Sequence, residues 1–170
     1  MKMKPRRCAT TLLVLLITVG TGTALAVDLP DSCAGVRLAF QTLPQPPKDI
    51  GVPLPEGATF FGGNPGGTIS VNGEAYTMRP MARFLVKQPP EEAARYYQKQ
   101  IGDEWKQADL FGMPVFVRRS DLARAGSVRD LLLARPGAHP SIMLSDVADE
   151  ECAQAVLKGA RTMIEIVSEK

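Results

Sequence analysis

Proline and glycine divide this chain into segments too short for a bundle of long helices. The 170 residues include 14 prolines and 15 glycines, and proline removes a backbone donor that a helix interior needs. Five of the prolines lie between Leu43 and Pro55. That density excludes regular helix and central strand there and favours extended backbone. We expect an arm that runs along the surface of the domain, with a ligand for a proline-recognition module as the alternative.

The first 26 residues have the layout of a secretory signal peptide. A basic stretch, Met1–Arg7, precedes an apolar run, Ala9–Val19, and the segment ends at Ala24-Leu25-Ala26, the small-x-small pattern of a signal peptidase site. Cleavage there leaves a mature chain that begins at Val27. The alternative is an uncleaved membrane anchor, because Cys8–Val27 is an uncharged span of 20 residues, long enough to cross a bilayer.

The net positive charge of the chain belongs to this N-terminal segment. The full sequence has 20 Lys+Arg and 18 Asp+Glu, a formal charge of +2. Four of the bases and none of the acids lie in residues 1–26, so the remaining 144 residues carry a charge of −2. Nucleic-acid-binding proteins carry a cluster of Lys and Arg side chains on one surface. This mildly acidic chain has only the Arg118-Arg119 pair, which is too small for such a cluster. We expect a periplasmic or secreted protein that meets a membrane only if the signal is retained.

Two cysteines, Cys33 and Cys152, follow the signal segment. An oxidising compartment favours a disulfide between them, across a sequence separation of 119 residues. Chain entropy predicts a stabilisation of about 4–5 kcal/mol for so long a loop. Two buried free thiols are the alternative. No Cys-x-x-Cys pair occurs, so a thioredoxin-like redox role has no support.

Turn and cap signals in the mature chain predict short elements. Asn72-Gly73 predicts a tight hairpin, because both positions of a type I′ turn need positive φ. Pro89-Pro90-Glu91-Glu92 predicts a helix start, and Ser127 with Asp130 predicts a short helix through Ala134. The predicted strands are 58–61, 68–71, 74–78, 81–87, 105–108, 113–118 and 141–144.

The end of the chain predicts a terminal helix. Asp149-Glu150-Glu151 supplies acidic residues for a first turn, and four residues lie close to one helical face: Cys152, Val156, Met163 and Val167. Together the elements predict one α+β domain over residues 52–170, after an arm at 27–51. Its antiparallel sheet carries helices packed on one face.

A glycine-rich segment, Gly62-Gly63-Asn64-Pro65-Gly66-Gly67, predicts the tip of a flexible hairpin. A phosphate-binding loop is the alternative, but no Gly-Lys-Ser/Thr sequence follows. Phe60 and Phe61 flank this tip, and we expect one to face the core and the other to be exposed. Tyr97 is assigned to the core. Its neighbour Tyr96 joins Phe60 and Phe61 in a candidate contact surface.

Several of these residues carry a resemblance. The segment Val52–Ala58 resembles the P-x-Y-P-G-A opening of small, mostly uncharacterised exported bacterial domains, in which a Pro-Glu-Glu helix with two aromatics precedes a tryptophan strand. Pro89–Tyr97 and Trp105 stand at the corresponding places, and the likeness covers roughly residues 52–118. It departs at Glu56, inserted before Gly-Ala, and at Glu104, where glycine is usual. The resemblance implies an exported α+β module and assigns no catalytic residue.

The mature chain offers no complete catalytic constellation. His139 is its only histidine, and its place between Ala138 and Pro140 is typical of a solvated loop. One histidine and two oxidised cysteines do not make a usual zinc site, and no Gly-x-Ser-x-Gly elbow occurs. Glu91-Glu92 and Asp149–Glu151 are acidic clusters, each explained by a helix dipole. We therefore expect no catalytic, metal-binding or cofactor-binding residues.

The predicted function is that of an exported, non-enzymatic module. It would bind a partner protein or a small ligand through its sheet face and the glycine-rich hairpin. Two alternatives stay open. One is a small envelope hydrolase that uses carboxylates, since unpaired acids occur in many sheet proteins. The other is an envelope subunit anchored by a retained N-terminal helix.

Overall fold

The computed structural model describes Cys33, Leu43, residues 45–71 and residues 73–169. The predicted signal peptide and most of the predicted arm lie outside these residues. The elements within the described part, in chain order, are β1 (Thr59–Asn64), β2 (Gly67–Val71), β3 (Glu74–Met78), β4 (Met81–Val86), α1 (Pro90–Gln100), β5 (Trp105–Leu110), β6 (Met113–Arg118), α2 (Arg119–Ala125), α3 (Val128–Leu133), β7 (Ser141–Asp146), α4 (Glu151–Val156) and β8 (Thr162–Val167).

Six of the strands form one antiparallel sheet, in the order β1-β4-β8-β7-β6-β5. The strands β2 and β3 form a separate two-stranded ribbon. Gly73 takes a φ of +84° at the turn of this ribbon, as a type I′ turn requires. The predicted α+β class is therefore confirmed.

The predicted terminal helix is wrong. The helix α4 ends at Val156, Gly159 takes a φ of +83°, and Thr162–Val167 forms β8 in the interior of the sheet. Threonine and isoleucine alternate with other residues along β8, and this period of two with β-branched side chains suits a strand. The Gln154 carboxamide holds the intervening turn, donating to the Ala160 carbonyl at 2.8 Å and accepting from the Gly159 N–H at 2.9 Å.

The glycine-rich segment is not a hairpin tip. Gly62 and Gly63 are buried within β1 and pair with β4, and the turn itself is only Pro65-Gly66. A Cβ atom on Gly63 would lie 2.6 Å from the Met81 carbonyl oxygen. The Gly63 carbonyl also accepts a hydrogen bond from the Leu43 N–H at 3.3 Å. Glycine is needed here because backbones approach closely, and not because the segment is a flexible loop.

Both faces of the sheet are covered by helices. Phe84 of β4 packs in one cluster with Tyr97 of α1, whereas the next residue, Leu85, packs with Phe61 and with Ala153 of α4. We call these the α1 face and the α4 face. The sequence predicts helices packed on one face. The structure differs because consecutive residues of β4 are both buried, as in a sheet covered on both sides.

Local signals fixed the helix starts. The helix α1 begins at Pro90, with Glu91 and Glu92 in its first turn, and α3 begins after Ser127, whose Oγ accepts from the Asp130 N–H at 3.0 Å. Both starts were predicted. The helix α2 was not, because its N-terminal boundary has no side-chain cap. It follows β6 directly and ends at a glycine with a φ of +80°.

The described part of the proline-rich arm lies against the α1 face. Residues 45–55 form no regular helix or strand. Ile50, Val52 and Leu54 are partly buried against the core of the α1 face. The hydroxyl of Tyr96 donates to the Leu54 carbonyl at 2.8 Å, which ties the arm to α1.

Candidate functional site

The structure distributes the three residues of the predicted contact surface over both faces of the sheet. Phe60 lies on the α1 face, where its ring meets that of Phe84 edge-on with centroids 5.6 Å apart. Phe61 is 8% exposed and lies on the α4 face. Tyr96 is half-buried on α1 beside Tyr97, with ring centroids 5.3 Å apart. Each side chain therefore has a packing role, and the two phenylalanines do not share one surface.

A cleft of about 280 Å³ opens on the α4 face. This volume is near the lower end of those that hold small ligands, about 300–1,000 Å³. It lies where the loop after β7 and the start of α4 cross the sheet. The described residues that line it are Phe61, Arg83, Ser145, Asp146, Val147, Glu150, Cys152, Ala153 and Met163. Apolar side chains form most of its wall, and carboxylates stand at its edge.

Hydrogen bonds fix the wall of the cleft between β7 and α4. The Asp146 carboxylate accepts from the Ala148 N–H at 2.9 Å, and the Glu150 N–H donates to the Val147 carbonyl at 3.1 Å. The Gln154 amide donates to the Ala148 carbonyl at 3.0 Å. Asp146 and Glu150 are both exposed at the mouth of the cleft. Their backbone positions are therefore set before any ligand arrives.

A partly buried ion pair lies on the sheet at the wall of this cleft. Arg83 of β4 and Glu165 of β8 are cross-strand neighbours, and the Arg83 Nε donates to the Glu165 Oε2 at 2.6 Å. Their side chains are 11% and 17% exposed. Glu165 balances the only positive charge that the described lining contributes. The carboxylates of Asp146 and Glu150 therefore give the mouth a negative potential.

The predicted disulfide between Cys33 and Cys152 is confirmed. Cys152 lines the cleft, and Cys33 is fully buried. The bond fastens Cys33, which lies within the predicted arm, to the first turn of α4. It therefore also fixes one side of the cleft.

A second cavity, of about 320 Å³, lies between α2, α3 and the loop before β7. Its described lining mixes ionisable and apolar side chains: Asp121, Arg124, Ala125, Asp130, Leu131, Ala134, Arg135 and His139. Asp121 is 8% exposed, forms an ion pair with Arg124, and lies 3.8 Å from the His139 Nδ1 through its Oδ2.

His139 was predicted to be a solvated loop residue, but it is half-buried beside Asp121. This pair is not visible in the sequence, because Asp121 belongs to α2, a helix that the sequence does not predict. A carboxylate beside an imidazole can orient it for proton transfer. The described lining residues include no serine, threonine, cysteine or lysine.

Among the described residues, no group of three or more His, Cys, Asp or Glu side chains is placed to hold a metal ion. No helix in the described part of the chain is both long enough and apolar enough to cross a membrane.

No family model, no curated protein and no solved structure matches the chain.

Proposed function

We propose that the protein is an exported, non-enzymatic module that binds a small ligand in the cleft on the α4 face. The ligand would have an apolar body and a positively charged end. The observation that carries this proposal is the combination of an apolar cleft with two exposed carboxylates, Asp146 and Glu150, at its mouth.

Export is supported by two features of the chain. Residues 1–26 have the layout of a cleavable signal. The Cys33–Cys152 disulfide is of the kind that persists in oxidising compartments. The resemblance of residues 52–118 to exported bacterial domains agrees with both.

The apolar body of the ligand is inferred from the cleft wall. Phe61, Val147, Ala153 and Met163 line it, and each 100 Å² of apolar ligand surface removed from water contributes about 2–3 kcal/mol. Phe61 and Ala153 belong to the packed cluster on this face. The wall is therefore formed in advance, which lowers the ordering cost of binding.

The charge of the ligand is inferred from the cleft mouth. Arg83 is held by Glu165, so it does not offer an uncompensated positive charge to an anionic ligand. Asp146 and Glu150 have no positively charged partner within 4.0 Å in the described part of the chain. A cationic end placed there gains attraction from both carboxylates.

The test uses protein expressed from the full-length sequence and recovered after export. Its intact mass should lack residues 1–26, and native mass spectrometry should show whether a molecule is retained. Calorimetric titration then compares 4-phenylbutylamine with 4-phenylbutanol and 4-phenylbutyrate, three probes with one apolar body and different ends. We expect the amine to bind most tightly and the carboxylate least tightly.

Variants assign the binding to the cleft. The double variant Asp146→Asn/Glu150→Gln should weaken amine binding by about tenfold, since two partly exposed pairs contribute about 0.5–1 kcal/mol each. It should leave alcohol binding unchanged. Glu91→Gln/Glu92→Gln removes the same charge at α1 and is the matched control. Ser145→Phe should block all three probes. The proposal fails if none of the probes binds, or if Ser145→Phe binds them as the parent chain does.

A further inference from the structure

A protruding aromatic residue lies at the turn between β5 and β6. Phe111 is 68% exposed and Leu133 is 46% exposed, the two large hydrophobic side chains that the described residues leave open to solvent. Phe111 takes a φ of +54°, a backbone conformation that is rare for a bulky residue. A Cβ atom added at the adjacent Gly112 would meet no atom within 4 Å. The turn therefore projects from the domain and presents the ring outward.

The helix α3 adds a cation and a second apolar group beside this ring. The guanidinium carbon of Arg129 lies 5.7 Å from the centroid of the Phe111 ring. Leu133 follows Arg129 by one helical turn and shares its side of α3. Phe111, Arg129 and Leu133 thus form one exposed surface, which we call the tip surface.

Basic side chains continue from the tip surface along β5. Lys106 and Arg119 line a shared recess of about 370 Å³ with α2. Lys106 precedes Phe111 by five residues, about 17 Å along an extended strand. Lys106, Arg119 and Arg129 are exposed, and none has a carboxylate within 4.0 Å in the described part of the chain.

The charge of this part of the molecule is opposite to that of the rest. Residues 105–135 contain six bases and three acids, a charge of +3, although residues 27–170 as a whole carry −2. Three of the six bases are ion-paired, namely Arg118 with Glu104, Arg124 with Asp121 and Arg135 with Glu74, which leaves Lys106, Arg119 and Arg129. The acid nearest the ring, Asp109, accepts a hydrogen bond from the Gly112 N–H. The region is therefore complementary to an anionic surface.

We propose that the tip surface docks on a bilayer that contains anionic phospholipid, with Phe111 in the headgroup region, Arg129 beside it, and Lys106 and Arg119 further along the β5–β6 pair. A projecting ring offers no groove to an acidic peptide, but a bilayer accommodates a protrusion of this shape. Aromatic and arginine side chains both suit the boundary between headgroups and acyl chains. Each basic residue near an anionic surface adds attraction that salt screens. The contact is peripheral and independent of the cleft ligand.

Vesicle sedimentation of the exported protein tests this proposal. Vesicles of phosphatidylcholine with 30% phosphatidylglycerol are compared with vesicles of phosphatidylcholine alone, at low salt, about one tenth molar or less. We expect binding at least about tenfold tighter to the anionic vesicles, and its loss near 1 M salt.

Two variants locate the contact without threatening the fold. Phe111→Asn removes the ring, and asparagine tolerates a positive φ, so folding should be kept while vesicle binding falls by about fivefold or more. Arg129→Gln should weaken binding by about threefold to fivefold. Arg95→Gln, an exposed arginine of α1, is the matched control and should bind as the parent does.

A third variant reports the position of the ring. Phe111→Trp should keep vesicle binding and should show a blue shift of tryptophan fluorescence only with the anionic vesicles. The proposal is overturned if neither vesicle binds, or if Phe111→Asn and Arg129→Gln bind like Arg95→Gln. Binding to poly-glutamate without binding to the anionic vesicles would also overturn it, in favour of an acidic protein partner.

Discussion

The two faces of the central sheet are built differently. The α1 face is closed by one helix of 11 residues, and Tyr97, Phe116 and Ile142 are each no more than 2% exposed. The α4 face carries α4, a helix of only six residues. That face contains the cleft and the Arg83–Glu165 pair. A long helix excludes water along its whole length, whereas a helix of six residues leaves part of the sheet open, so the cleft lies on the face with the shorter cover.

Removing one aromatic ring from each face tests this difference most strongly. We expect Phe116→Ala on the α1 face to cost about 3–5 kcal/mol, because it leaves a closed cavity. Phe61→Ala on the α4 face should cost at least about 1 kcal/mol less, because its space joins an existing cleft that water can enter. Urea unfolding of both variants measures the two costs. Equal costs would mean that the α4 face is packed as tightly as the α1 face.

The partly buried ion pair Arg83–Glu165 should show that the α4 face accommodates a charged side chain only when its oppositely charged partner is present. Glu165→Leu alone should cost about 2–4 kcal/mol, because it leaves the partly buried Arg83 without this carboxylate. The double variant Arg83→Met/Glu165→Leu should recover most of that loss. The same unfolding measurement gives the coupling between the two sites. Additive losses would contradict the prediction.

Alkaline pH should destabilise the α1 face through Tyr97. Burial raises the pKa of Tyr97 above its usual range, and the nearby Tyr96 adds to the effect. The unfolded chain loses the phenol proton near pH 10, but the folded chain keeps it, so the free energy of unfolding should fall by about 1.4 kcal/mol per pH unit above about pH 10. The stabilisation is fully present below that pH.

Tyr97→Phe provides the control for this pH dependence. No described residue hydrogen-bonds to the Tyr97 hydroxyl, so its removal should cost little at neutral pH. The variant should lack the extra alkaline slope. Thermal unfolding from pH 8 to 11 compares the two chains, and an unchanged slope in Tyr97→Phe would assign the alkaline loss to other groups.

The smallest expected effect concerns the N-terminal cap of α3. Ser127→Ala should cost about 1 kcal/mol, because the Ser127 Oγ accepts the Asp130 N–H at the start of α3. Ser120→Ala, an exposed position of α2, should change the free energy of unfolding by less than about 0.5 kcal/mol. Equal effects at the two serines would show that the cap does not stabilise α3.

Local chemistry explains which elements the sequence could predict. The starts of α1 and α3 depend on residues within one turn of each other. The ribbon depends on the turn at Gly73. The helix prediction for Glu151–Val167 was wrong, because the apolar residues of this segment fit one face of a helix as well as they fit a strand. Pairing with β4 and β7 decides for the strand β8, and that pairing is not visible in a local window.

The cleft could not be predicted for the same reason. Arg83 and Glu165 are 82 residues apart in sequence, and Asp121 meets His139 only because α2 follows β6. The one long-range contact that the sequence did predict is Cys33–Cys152. Two cysteines allow a single disulfide, whereas 20 Lys+Arg and 18 Asp+Glu allow many different ion pairs.

The place of β8 in the sheet also controls when this domain can fold. β8 follows every other described element in the chain, yet it lies between β4 and β7. Until Thr162–Val167 has been synthesised, the strands β1 and β4 and the strands β5 to β7 are two separate groups with no direct ladder between them. Contacts of such long sequence separation form slowly. Nascent chains that stop before Thr162 therefore lack the strand that joins the two groups. The complete six-stranded sheet can form only after β8 has been synthesised.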